Sequence, residues 1–320
     1  MLSQEDFDIK PKVKSRLNIL PKNPQQEDGK SSVGLGRFPS WLHRRLPKGG
    51  NLWLTDGVMR ENRLHTVCEE AKCPNLLECW SKKTATFLVM GKQCTRACGF
   101  CDIAFSKEPP PLEESEPQRV AESVRQLGLK HAVITMVARD DLPDGGAEHL
   151  AAVVRAIRQL NPATSIELLT SDFAGNQAAW QTVLDVKPEI FNYNIETVRR
   201  LSPSVRHTAT YERTLELLSF AKTTQLPGFV KSGMMVGLGE TKEEVFATIT
   251  DLKNAGCDII TIGQYLQPNR RKLLVKRFVA PEEFEEYTQF GKTIGVKQLY
   301  SGPFVRSSYH AGEAFTEVSK

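Results

Sequence analysis

Six of the seven cysteines fall within residues 68–101, and they come as two triplets. The upstream set is Cys68, Cys73 and Cys79 in CEEAKCPNLLECW, spaced C-x4-C-x5-C. The downstream set is Cys94, Cys98 and Cys101 in CTRACGFC, spaced C-x3-C-x2-C. The odd count, the tight clustering and a leading MLSQEDFDIKPKVK without an apolar core speak against an exported disulfide framework. In a reducing compartment, clustered cysteines read as metal ligands or redox groups. Three thiolates on one short loop converge only if the loop curls round a common centre. An iron–sulfur cubane provides soft iron corners at such a centre. Three ligands leave one iron without a protein donor, and that open position can take substrate. Structural zinc is the competing reading, since it takes four ligands at paired spacings. The downstream loop offers no fourth partner. Upstream, His65 stands three residues before Cys68 and would complete a zinc site; a redox pair is also open there. Cys257, alone in AGCDIITIG, reads as a packing residue.

The elements that must carry these loops follow a regular alternation from residue 84 onward. Strands are expected at 84–90, 131–138, 165–171, 189–196, 230–238 and 257–265, each a near-continuous apolar run. Helices are expected at 117–129, 144–160, 175–186, 210–224, 241–256 and 281–295. Asp144 is placed as an N-cap, Thr241 and Glu244 as a capping box, and Gly256 as a helix stop. Apolar strands separated by amphipathic helices mean a parallel sheet buried on both faces. The class is α/β. Six units suit a partial (β/α)6 TIM-like barrel with an N-terminal cysteine-rich extension and a C-terminal segment. Its parts are a leader at 1–50, a cysteine-rich segment at 51–83, the barrel at 84–295 and a C-terminal segment at 296–320. Barrels of this kind place their chemistry on the loops after the strands. The Cys94 loop follows the first strand there. Asp144, Gly145 and Gly146 follow the second, Asn194 and Glu196 end the fourth, and Gly237, Gly239 and Glu240 follow the fifth.

The chain has 320 residues and a formal net charge of +4. Residues 1–50 carry ten Lys/Arg against five Asp/Glu, so the remainder is close to neutral. The basic excess therefore sits in the leader and does not make the main body a nucleic-acid surface. The leader reads as a solvated, partly disordered arm, or as one that wraps the fold or meets an acidic partner. Phe38, Trp41, Leu42 and Trp53 suggest that its second half is docked. The longest apolar runs are too short to span a bilayer, and the expected compartment is the cytoplasm.

The downstream triplet, with Phe100 before its last cysteine and a strand before its loop, resembles the radical S-adenosylmethionine superfamily. The upstream triplet, together with Arg306, Ser307, Ser308 and Tyr309 near the C-terminus, narrows the resemblance to the lipoyl synthase family. That resemblance implies two 4Fe-4S clusters, one on each triplet, with S-adenosyl-L-methionine chelated at the open iron of the downstream one. It implies Ser308 as a ligand of the upstream cluster, with Ser307 in reserve. Asp144, Gly145 and Gly146 would meet the methionine moiety, Asn194 and Glu196 the ribose, and Gly237, Gly239 and Glu240 the adenine side. The implied reaction inserts sulfur at C6 and C8 of an octanoyl group on a carrier lysine, using two S-adenosylmethionine molecules and the upstream cluster as sulfur source. The implied partners are octanoylated lipoyl carrier domains of 2-oxoacid dehydrogenase E2 subunits, the glycine cleavage H protein, and an electron donor such as flavodoxin or ferredoxin. Neither nucleic acid nor membrane is an expected partner.

Overall fold

A computed structural model describes residues 38–43, 51–82, 84–224, 228–309 and 311–318. Most of the expected leader lies outside the described residues. Within its described part, Leu42 is buried and Phe38 packs edge-on against Phe278 at 5.6 Å; Trp53, just beyond the leader, is 61% exposed.

Ten strands are described. They are β1 (His65–Thr66), β2 (Thr86–Val89), β3 (Gln93–Cys94), β4 (Ala104–Phe105), β5 (His131–Met136), β6 (Ser165–Leu169), β7 (Ile190–Asn192), β8 (Phe229–Val236), β9 (Ile259–Gln264) and β10 (Gln298–Gly302). Eight form one sheet in the order β1-β2-β5-β6-β7-β8-β9-β10. From β2 to β10 every pairing is parallel, while β1 joins the edge antiparallel to β2. The six expected strands are β2 and β5 to β9. β10 adds a seventh parallel strand inside the segment expected to be a C-terminal appendage. The partial barrel thus extends one strand further than the apolar runs indicate.

Helices Glu116–Leu127, Ala147–Leu160, Gln177–Asp185, Tyr211–Thr223, Lys242–Asn254 and Pro281–Thr293 alternate with the strands as expected. The Thr241–Glu244 capping box forms in both directions, and Gly256 follows that helix with a left-handed φ of +89°. Asp144 departs from its expected place. Gly146 is the N-cap, and Asp144 acts from two residues ahead, accepting from the Gly146 and Glu148 N–H groups at 2.9 Å each. Its carboxylate still satisfies orphan donors of the first turn. Cys257 is 2% exposed within the main core, as its packing role requires.

The barrel strands carry one buried ionic group. Glu167 on β6 and Lys231 on β8 are essentially inaccessible, with both carboxylate oxygens 3.0 Å from the ammonium. Asn192 on β7 donates to the same carboxylate at 2.7 Å. Burial alone would raise the Glu167 pKa, but Lys231 and His131 outweigh it and hold the carboxyl below its ordinary value.

Candidate active site

The downstream triplet begins on β3, just beyond the end of β2. Its loop is pinned from both sides. The Cys94 sulfur accepts the Ala138 N–H at 3.3 Å and the Arg96 N–H at 3.4 Å. Arg96, between the first two cysteines, is buried and forks onto Asp140 at 2.7 and 2.8 Å. Its Nη2 also lies 2.6 Å from the fully buried Asp172, which Arg213 meets from the other side at 3.0 Å. Two carboxylates and two guanidiniums therefore lock the loop to the strand ends after β5 and β6. A bidentate Arg–carboxylate pair fixes direction as well as distance. The sequence reading missed this network, because its paired members are 41 to 76 residues apart.

Cys98 and Cys101 are half-buried on the same loop as Cys94. Burial, then Glu196 and Cys94, push the Cys98 thiol up to about 11. Burial, then Cys98 and Cys94, push Cys101 up to about 12. Upstream, the Val67–Glu70 helix starts on Thr66, whose hydroxyl caps it by accepting from Glu69, and presents Cys68. A turn through Lys72 brings in Cys73, and the Leu76–Ser81 helix supplies Cys79. Burial and Cys73 push Cys68 up to about 12; burial, Cys68 and Cys73 do the same for Cys79. All six are free thiols, Cys68 buried and the other five half-buried. Three thiols on each segment would, once deprotonated, be soft donors of the kind an iron–sulfur cluster takes, so the donor chemistry fits a cluster. Among the described residues no three His, Cys, Asp or Glu groups stand at the spacing of a single metal ion. His65 Nδ1 is 3.5 Å from Glu70 Oε1.

Contacts tie the two triplets and the C-terminal segment together. Lys72, beside Cys73, pairs with Asp102, beside Cys101, at 2.6 Å. Asn75 donates to the Phe304 carbonyl at 2.7 Å, and Tyr309 donates to Glu78, the neighbour of Cys79, at 3.0 Å. The Arg306–Tyr309 segment is therefore anchored on the upstream cysteine helices. Asn194 donates to the Ser307 hydroxyl at 3.3 Å. The Ser308 side chain makes no hydrogen bond among the described residues.

The other expected contact residues divide. Asn194 and Glu196 sit past the end of β7, with Asn194 Nδ2 donating to Glu196 at 3.1 Å and Asn194 Oδ1 buried without a partner among the described residues. Burial raises the Glu196 carboxyl, and Arg206 and Asn194 only partly draw it back. Arg206 is buried beside them, donating to the Asn194 carbonyl at 2.7 Å, and was not singled out from the sequence. A lone arginine in a loop carries no spacing signal. Glu240 is turned inward: its two oxygens accept the Gly237 and Leu238 N–H groups at 2.6 and 2.9 Å. It shapes the loop after β8 and has no carboxylate oxygen left unengaged there. Gly237 permits that shape, since a Cβ there would lie 2.2 Å from Gln264 Nε2. Gly146 is fixed by packing, because a Cβ would lie 2.4 Å from Met90 Sδ. Gly145 borders a cavity of 460 Å³ that no cysteine lines, shared with Asp140, Leu142, Phe173 and Asn176. Gly239 follows in the Glu240 loop with Lys276 nearby.

Residues 88–252 match the radical SAM superfamily, and residues 8–73 match the N-terminal domain of lipoyl synthase of the radical SAM family. The family signal thus begins upstream of residue 50. The chain is 68% identical to the lipoyl synthase of Protochlamydia amoebophila over 92% of each chain. The chain belongs to the lipoyl synthase family. The Geobacillus thermodenitrificans lipoyl synthase is 52% identical, covering 89% of this chain and 95% of its own. The Chlamydia muridarum lipoyl synthase is 48% identical over 94% and 97%. Among solved structures, Streptococcus suis SuiB bound to S-adenosylmethionine superposes with a TM-score of 0.55 at 11% identity, over 67% of this chain and 49% of its own. HydG, a maturase of the [FeFe]-hydrogenase, gives 0.52 at 15% identity over 71% and 58%. These two likenesses concern the fold. As a lipoyl synthase of the radical SAM superfamily, the chain works with S-adenosylmethionine and a 4Fe-4S cluster. No helix among the described residues is long and apolar enough to cross a membrane.

Proposed function

We propose that this chain inserts two sulfur atoms, at C6 and C8, into an octanoyl group amide-linked to a lysine of a carrier protein. Cys94, Cys98 and Cys101 would hold the cluster that meets S-adenosylmethionine. Cys68, Cys73 and Cys79, with Ser308, would hold an auxiliary 4Fe-4S cluster. When bound, these groups would relay an electron from an external reductant and supply the hydrogen-abstracting radical and the sulfur, chemistry that no protein side chain provides. The chain's own task is to hold, orient and keep dry. Arg96, Asp140 and Asp172 fix the Cys94 loop. Asn194, Glu196 and Arg206 present polar groups suited to a ribose and an amino-acid carboxylate. The loops at Asp144–Gly146 and Gly237–Glu240 would bound the cofactor, the second shaped by Glu240.

The observation that carries the auxiliary site is the grip of Tyr309 on Glu78, with Asn75 on Phe304. It brings a serine pair to the helix bearing Cys79. Asn194 engages Ser307, so Ser308 is the ligand we assign. We keep 51–83 as the proposed auxiliary segment; the barrel, expected to end at 295, runs on through β10 to Gly302, and Ser308 stands in the segment after it. The proposed carriers are lipoyl domains of 2-oxoacid dehydrogenase E2 subunits and the glycine cleavage H protein, and the proposed compartment is the cytoplasm. Anaerobic incubation of the reconstituted protein with an octanoyl-lysine carrier peptide, S-adenosylmethionine and dithionite tests the reading. Mass spectrometry should find a product with two sulfurs gained and two hydrogens lost. A peptide left unchanged while 5′-deoxyadenosine accumulates would contradict it.

A further inference from the structure

The segment between β9 and the Pro281–Thr293 helix lies directly on the downstream cysteine loop. Leu273 donates its N–H to the Gly99 carbonyl at 3.0 Å, and Lys272 Nζ reaches the Cys98 carbonyl at 3.4 Å. The contact is tight, since a Cβ on Gly99 would lie 3.0 Å from the Leu273 side chain. The segment is also held from behind. Tyr265 donates to the Leu273 carbonyl at 2.9 Å, and Lys276 donates its N–H to Gly237 at 2.8 Å. On its outer side stand Arg270, Arg271 and Lys276, all exposed, with Leu274 43% exposed among them. None of these three cations makes an ion pair among the described residues. Most of the other described arginines are paired with a carboxylate, as Arg200 is with Glu244 and Arg277 with Glu283. A rigid backing with unpaired like charges round an apolar residue has the make-up of a polar-rimmed interface.

We infer that this face, at Arg270, Arg271, Leu274 and Lys276, docks an acidic one-electron carrier protein. The inference rests on the reading that Cys94, Cys98 and Cys101 hold the reducing cluster. Proximity favours an electron donor over an acidic acyl carrier. Electron transfer needs short contact, and the segment behind this face bonds directly to the Cys98 and Gly99 carbonyls. A cavity of 510 Å³ lined by Gly99, Arg271, Leu274 and Lys276 opens on the same face, so the test below reads carrier binding beside donor binding. In the step, one electron leaves the reduced donor, which is oxidised by one unit, and enters the site held by the three cysteines. No proton or leaving group moves. The unpaired cations would speed encounter with an acidic partner and make it salt-sensitive.

The test uses the full chain, anaerobically reconstituted, with flavodoxin as the probe and Arg270→Glu/Arg271→Glu/Lys276→Glu as the variant. Calorimetry with oxidised flavodoxin reads binding without turnover. The wild-type Kd should weaken as salt rises from about 50 to about 200 mM. The variant should bind at least roughly tenfold more weakly at the lower salt and lose that salt dependence. Dithionite-driven 5′-deoxyadenosine formation should stay within about twofold of wild type, because no docking is involved. Unchanged flavodoxin binding would overturn the proposal. So would a raised KM for the octanoylated carrier with flavodoxin binding intact, which would make this the carrier's face. Failure of the wild-type chain to cleave S-adenosylmethionine with dithionite would instead sink the cluster assignment, while the binding measurement still decides the face.

Discussion

Alanine at Cys68 is expected to leave dithionite-driven 5′-deoxyadenosine formation measurable while lipoyl product falls to background; alanine at Cys94 is expected to abolish both. The difference follows from where the two sulfurs stand. Cys94 is fixed by N–H groups from Ala138 and Arg96, and its loop is locked by Asp140 and Asp172. Cys68 belongs to a separate short helix at the sheet edge, coupled to Cys73 and Cys79. Its loss removes a ligand from the auxiliary site and leaves the Cys94 loop's own contacts in place. Loss of a partner that merely orients a ligand costs about 10–100-fold, so loss of the ligand itself should cost at least that. Quantifying 5′-deoxyadenosine and lipoyl peptide in the same reactions checks both arms. Lipoyl formation by the Cys68 variant would show that the upstream triplet is not the sulfur donor's seat.

Lys231→Met is expected to be among the most destabilising single substitutions in the barrel. It removes the ammonium facing a carboxylate that is 0% exposed, and it leaves Glu167 with Asn192 and a histidine 3.7 Å away. Breaking a buried pair from one side costs about 3–5 kcal/mol, because the remaining charge has no compensation. At about 2 °C per kcal/mol for a chain this long, thermal unfolding of the apo protein should move down by roughly 6–10 °C. The pH dependence has a definite sign. In the wild type Glu167 titrates below its unfolded value, so its contribution is present above that value and lost as pH falls through the folded one. In the variant only the burial effect remains strong, the carboxyl is pushed up, and protonation relieves it. The gap between the two proteins should therefore narrow as pH is lowered from neutrality toward the ordinary glutamate range near about 4.3. The Glu167→Gln/Lys231→Met double variant should recover much of the loss. A single variant within about 1 kcal/mol of wild type would show that the pair is not coupled as described.

The two cysteine triplets and the alternation of apolar strands with amphipathic helices were legible because each depends on local spacing. Thr241 and Glu244 were legible for the same reason, since a capping box is written in four consecutive residues. β10 was not. Its residues Gln298, Tyr300 and Ser301 break the apolar run, and only pairing with β9 makes it a strand. The Arg96–Asp140–Asp172–Arg213 lock was invisible because it joins loops that meet only when the barrel closes. Glu240 was read as a cofactor contact because a glutamate after a Gly pair looks available; its oxygens are in fact engaged by its own loop. Asp144 was assigned to the right helix end but two residues from the cap, because Gly145 and Gly146 add a left-handed turn that composition does not reveal. The anchoring of Tyr309 on Glu78 spans 231 residues of sequence, and no periodicity could report it.

Iron and acid-labile sulfide analysis of the anaerobically reconstituted full chain tests most directly whether each triplet holds its own cluster. Two cubanes predict about eight irons and about eight sulfides per chain, falling to about four of each when Cys68, Cys73 and Cys79 are replaced together. A wild-type value near four, unchanged by that triple replacement, would contradict the account.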